Sequence, residues 1–207
     1  MEDYLPCCYT QCVTNSRFDA NYFARYYGEQ PVRTMNEVGH LATAVHEMVA
    51  WWGGSIRSVL EVGAGPGDWS AWYRSMHPDV RVTSTDVSEH ACEQFGHDLR
   101  DIAEWAPSQP YDLVICMDVL QYLDDRAAAR ALRNLTTATR TVMYFDALTA
   151  FDAKHTVDRS TTDLNAHLRS GNWYHERLAR GFMHAGAGLW VRKGGGIVLH
   201  ELERTRR

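Results

Sequence analysis

At 207 residues with 45% hydrophobic side chains, the chain is long enough to bury one sizeable core and short for two, so a single domain over 1–207 is expected. A net charge of −5 gives no general attraction to phosphate backbones, which argues against a nucleic-acid partner despite the basic end Arg204-Thr205-Arg206-Arg207. No run of about 18 apolar residues exists, and Met1-Glu2-Asp3 opens on acids where a secretory leader carries bases, so a soluble, cytoplasmic protein with no membrane partner is expected.

In chain order, Cys7, Cys8 and Cys12 come first, far from Cys92 and Cys116. Their odd total predicts no disulfide framework, and the missing Cys-x-x-Cys spacing predicts no zinc site. The ten histidines form no His-x-His or His-x-x-x-His pair, so no metal is expected. Phe18, Tyr22, Phe23, Tyr26 and Tyr27 recur at the spacing of a short amphipathic helix. Thr34-x-x-Glu37 is a capping box, followed by Met35, Val38, Leu41, Val45, Met48, Val49 and Trp52 at helical spacing until Gly53-Gly54. Residues 1–54 thus read as an N-terminal helical cap.

Apolar runs then alternate with helical patterns, as in a parallel sheet covered on both faces. Strands are predicted near 58–63, 80–86, 98–101, 111–117 and 139–146, and helices near 67–77, 88–96 and 124–136. After Asp146 the chain is polar from Asp152 to Asn172, and 147–172 reads as a substrate-side insertion before a helical pattern opens at Trp173. At the end, Gly188 to Lys193 and Ile197 to Glu203 flank three glycines and predict a hairpin adding an antiparallel strand.

The chemistry concentrates at Leu60-Glu61-Val62-Gly63-Ala64-Gly65-Pro66-Gly67-Asp68, between a strand and a helix. Glycines there let the chain turn sharply and let a ligand lie against bare backbone. A dinucleotide fingerprint needs its third glycine at position 68, which is aspartate, and an acid near the positive helix end repels phosphate. Asp86, at the end of the next strand with Val87 beside it, can accept hydrogen bonds from both ribose hydroxyls of an adenosine.

Glu61, Gly63, Gly65, Gly67 and Asp86 in this order resemble the first two motifs of class I S-adenosylmethionine-dependent methyltransferases of the small-molecule type. The resemblance implies an α/β Rossmann-like fold, with a mostly parallel seven-stranded sheet and a C-terminal antiparallel hairpin, and S-adenosylmethionine as cofactor. It assigns Asp101 and Ile102 to adenine, Met117 and Asp118 to the methionine end, and Tyr26, in the aromatic leading helix, to closure over the cofactor.

A sulfonium carries its own activated methyl, so the protein has mainly to align a nucleophile and remove a proton. Asp146, at a strand end, and His155 and His167 after it are the candidate bases, because open parallel sheets bind ligands at those ends. The Asn/Asp-Pro-Pro-Tyr/Phe signature of amide methylation is absent at Cys116-Met117-Asp118-Val119. Methyl transfer to a small-molecule acceptor, such as a secondary metabolite, is the expected activity. The alternative is a protein that binds the cofactor without transferring methyl, using it structurally or for a cyclisation or rearrangement. No motif encodes the acceptor or the oligomeric state.

Overall fold

The computed structural model describes residues 17–29 and 31–205; Cys7, Cys8, Cys12 and the terminal Arg206-Arg207 lie outside them. The element order is α1 (Ala20–Tyr27), α2 (Met35–Trp51), β1 (Ser58–Val62), α3 (Asp68–Met76), β2 (Arg81–Asp86), α4 (Glu89–Phe95), β3 (Asp98–Leu99), β4 (Tyr111–Met117), a 3-10 turn (Leu120–Tyr122), α5 (Asp125–Ala138), β5 (Thr139–Asp146), α6 (Ala150–His155), α7 (Gly171–Leu178), β6 (Phe182–Gly186) and β7 (Leu189–Arg192). The strands form one seven-stranded sheet in the order β3-β2-β1-β4-β5-β7-β6. β1 to β5 are parallel, and β7 runs antiparallel to both β5 and β6.

Alternation along the central strands sends side chains to two cores. Leu60, Val62, Val114, Cys116, Met143 and Phe145 pack on one face beneath α5 and α7. Val59, Leu113, Ile115, Val142 and Tyr144 pack on the other beneath α2 and α3, so α2 covers the sheet through Val38, Ala42, Val45 and Val49. The predicted capping box is present, with the Thr34 side chain taking the Glu37 N–H and Glu37 returning to the Thr34 N–H.

The class of fold and the antiparallel hairpin are as expected, but the hairpin lies earlier in the chain. It pairs 182–186 with 189–192 across Ala187-Gly188, not 188–193 with 197–203. Both edges of β7 are taken, by β5 and β6, so 197–203 cannot pair with it. Ile197 and Leu199 instead pack into the core beside α2. The predicted polar stretch also contains a helix, α6, begun by a second capping box at Thr149 and Asp152. A parallel bridge between Thr149 and Arg169 closes the base of this segment.

Candidate cofactor and acceptor site

Strands β1, β2, β4 and β5 end on one edge of the sheet, and the turns leaving them build the site. After β1, Gly63, Gly65 and Gly67 all have positive φ (62°, 55° and 80°), a conformation open to glycine at little cost. Glu61, 4% exposed, reaches forward from β1 and accepts from the Ser70 N–H at 2.9 Å and the Ser70 hydroxyl. The Ser70 N–H in the first turn of α3 is therefore already answered by a carboxylate, whose charge opposes a phosphate there. Burial pushes the Glu61 carboxyl up to about 7, against the lowering pull of the Ser70 bonds.

Asp86, buried at the end of β2, accepts from the Gly65 N–H at 2.9 Å through one oxygen and from the Ser88 N–H at 2.8 Å through the other. These bonds aim the carboxylate along the glycine turn. Asp86, Val87, Gly63 and Gly65 line a cavity of about 60 Å³ roofed by Phe18, Tyr22 and Tyr27. Its lone pairs beyond the two backbone bonds fit a diol such as ribose. His97 secures the turn from the side, with Nε2 3.0 Å from the Gly65 carbonyl and Nδ1 2.8 Å from Ser84.

A second cavity of about 170 Å³ continues past the glycine turn toward the end of β4. Asp118 follows β4 at φ 58°, a left-handed conformation that aspartate tolerates better than most side chains. Its N–H donates to the Asp146 carbonyl at 3.0 Å, joining the ends of β4 and β5. Arg33, arriving from the stretch before α2, donates to Asp118 at 2.6 Å and stands 3.6 Å from Asp146. Burial, with Asp118 adding to it, raises the Asp146 carboxyl above the usual range.

The cap is fastened at several points. Tyr22 and Tyr122 hydroxyls lie 3.0 Å apart, the Ser88 hydroxyl donates to the Phe18 carbonyl, and Arg17 pairs with Asp163 at 2.8 Å. Arg17 thus ties the N-terminal segment to the stretch after β5, whose Leu148, Val157, Thr161, Thr162 and Asp163 wall the larger cavity.

Residues 60–141 match the family model described as a methyltransferase domain, which spans the glycine turn, Asp86, Asp118 and the start of β5. The stretch from β1 into β5 is thus similar to a methyltransferase domain. It is similar to trans-aconitate 2-methyltransferase of Azoarcus sp., 32% identical over 77 residues, 34% of this chain. The match spans about a third of that relative's length (30%). Among solved structures it resembles magnesium protoporphyrin IX methyltransferase of Synechocystis with bound S-adenosylmethionine, at 18% identity and TM-score 0.56, over 87% of this chain and 93% of that one. It also resembles an N-methyltransferase of Bradyrhizobium japonicum in complex with S-adenosylhomocysteine, at 16% identity and TM-score 0.51, over 76% and 86% of the two chains. At these identities the structural likenesses carry the fold.

Against the expectations from the family's motifs, the structure brings Glu61, Gly63, Ala64, Met117, Asp118 and Tyr26 to the larger cavity, and Gly65, Asp86 and Val87 to the smaller. Gly67 caps α3 beside His97. Asp101 and Ile102 line neither cavity: Asp101 is exposed and accepts from the Ala103 N–H at 2.7 Å, and Ile102 is buried in the α5-side core. Asp146 faces a separate, more open cavity of about 750 Å³ with Tyr174, His175, His184 and Trp190. His155 is exposed and packs on Phe151, and His167 is exposed with its backbone N–H on the Gln121 carbonyl, and neither lines the cavities described above. Sequence reasoning missed Arg33 and Gln121, which no local motif marks. Among the described residues, no group of three or more His, Cys, Asp or Glu could hold a metal, and no helix is long and apolar enough to cross a membrane.

Proposed function

We propose that this chain binds S-adenosylmethionine along the glycine turn and transfers its methyl group to a small-molecule acceptor. The observation that carries the reading is the continuity of the two cavities. One ends on the buried Asp86 carboxylate, the other on Asp118 and Arg33, and both share Gly63, Tyr22, Tyr27, Asp118 and Tyr122. A nucleoside with a polar tail fits that sequence of groups, whereas a pyrophosphate meets Glu61 where it would need free amides.

In this reading Asp86 takes the ribose hydroxyls, and Met117, Asp118 and Arg33 surround the methionine end. The N-terminal segment through Tyr27 acts as a cap, and the stretch 147–172 supplies the acceptor wall. The bound sulfonium supplies an already activated methyl. The protein's part is to align the acceptor, exclude water through the tyrosine roof, and accept a proton at Asp146, the one candidate base that stands near Arg33 and Asp118. The relatives named for trans-aconitate motivate a small organic acid as one acceptor to assay.

Calorimetric titration with S-adenosylhomocysteine tests the cofactor, and release of S-adenosylhomocysteine from S-adenosylmethionine across a panel of small acids, phenols and amines tests transfer. Micromolar binding with acceptor-dependent release is expected. A folded protein that binds neither nucleoside refutes the reading.

A further inference from the structure

The open cavity of about 750 Å³ beside the end of β5 has no occupant in the cofactor reading. Asp146, Ala147 and Thr149 line it while Leu148 lines the larger cofactor cavity, so 146–149 is a wall shared by the two. That wall begins at Asp146, whose side chain is 44% exposed and whose carboxylate stands 3.6 Å from Arg33 of the cofactor cavity. A molecule seated in the open cavity can therefore present an atom at Asp146, on the border between the two spaces.

The other walls come from α7, through Tyr174, His175 and Glu176, and from the β6–β7 hairpin, through His184 and Trp190. His184 stacks on Trp190 with ring centroids 4.3 Å apart, and His175 approaches the two rings at 5.5 and 5.2 Å. The Thr205 hydroxyl, 3.0 Å from His184 Nδ1, fixes the stack from behind. Glu176 is steadied by Asn172 one helical turn earlier, whose Nδ2 donates to it at 2.7 Å. Both of these residues line the cavity and are exposed.

Charge decides what such walls hold. Two carboxylates, Asp146 and Glu176, line the cavity, and among its described lining residues there is no lysine or arginine. Arg33 does not balance Asp146 by itself, because its shorter contact, 2.6 Å, goes to Asp118, and one guanidinium serves two carboxylates. Burial, with His175 beside it, holds His184 below the ordinary imidazole range, so its ring adds no charge near neutral pH. An anion entering here meets two like charges, whereas a cation meets two opposite charges among aromatic rings.

We propose that this cavity is the acceptor site and that the acceptor is an amine, cationic in solution, with an apolar body against His184 and Trp190 and its nitrogen at Asp146. The assignment rests on the cofactor reading above and narrows its acceptor from any small molecule to an amine. The ammonium gives one proton to the Asp146 carboxylate, and the freed nitrogen lone pair forms the new N–C bond to the sulfonium methyl. The C–S bond breaks and its electron pair returns to sulfur. The products are S-adenosylhomocysteine and the N-methylated ammonium. A small organic acid fits the same walls poorly.

The test uses three probes of similar shape and different charge: phenethylamine, phenylacetate and phenethyl alcohol. In calorimetry on wild type loaded with S-adenosylhomocysteine, the amine is expected to bind about tenfold more tightly than the acid or the alcohol. Glu176→Lys reverses one exposed charge of the wall, and the amine-to-acid affinity ratio is expected to fall about tenfold or more. A general loss of folding moves both probes together and leaves that ratio alone. With S-adenosylmethionine, wild type is expected to convert the amine to its N-methyl product, read by mass spectrometry. Equal affinity for the three probes, binding of none of them, or a ratio unmoved in Glu176→Lys overturns the amine assignment and leaves the cofactor reading standing. Wild type that does not bind S-adenosylhomocysteine overturns the cofactor reading itself.

Discussion

Replacing Glu61 with glutamine keeps the side chain's shape and an acceptor oxygen for Ser70 while removing a charge that the fold buries beneath α3. Burial lifts the carboxyl from 4.5 to about 7, with Asp68 pushing the same way and the Ser70 bonds opposing. A folded pKa above the unfolded one contributes stability that is fully present below about pH 4.5 and is lost as the pH rises through about 7. Between pH 5 and pH 8 this loss amounts to about 2–3 kcal/mol. Glu61→Gln has no proton to lose, so the stability difference between variant and wild type should move by that amount in the variant's favour across the interval. Other titrating groups are common to both proteins and cancel. Urea unfolding at pH 5 and pH 8, followed by tryptophan fluorescence, measures the difference. A difference that stays the same at both pH values refutes the view that Glu61 is held in a desolvated site.

Asp86→Ala should weaken S-adenosylhomocysteine binding by about 1–3 kcal/mol, read by calorimetry, because it removes an acceptor for ribose and frees the Gly65 and Ser88 N–H groups that shape the turn. Unchanged affinity in a folded variant would place the cofactor elsewhere. Arg169→Met should cost about 2–4 kcal/mol in thermal or urea unfolding, since the 6% exposed arginine donates to the Leu120 and Leu123 carbonyls and also pairs with Asp125; a variant as stable as wild type contradicts this. Arg33→Met removes the cation that holds down the Asp146 carboxyl. With Asp146 as base, the acid limb of the methyl-transfer rate should shift to higher pH, and an unmoved limb would exclude Asp146 from that role.

What could be read in the sequence was what is decided locally. A buried parallel strand must be apolar, a turn at positive φ favours glycine, and a helix start favours a capping pair, so β1, the turn through Gly63, Gly65 and Gly67, Asp86, and the box at Thr34 and Glu37 all stood out in short windows. The hairpin was misplaced because Phe182 to Gly186 reads equally well as the end of a helical pattern, and only the pairing of β7 with β5 and β6 excludes 197–203 as its partner. His155 and His167 follow β5 in the chain, yet α6 and the turn held to Gln121 send them to solvent.

The sequence alone determined the glycine turn, the acid that answers α3 and the acid at the end of β2, because each is bonded within its own strand–turn–helix unit or to the adjacent parallel strand. Only the tertiary structure decided the rest of the site. Arg33 meets Asp118 across 85 residues and Tyr22 meets Tyr122 across 100. Gln121 and Trp69 come to one cavity because β1 and β4 are hydrogen-bonded neighbours whose ends open on the same edge. No spacing rule along the chain encodes such meetings, since they depend on the order in which parallel strands are laid side by side.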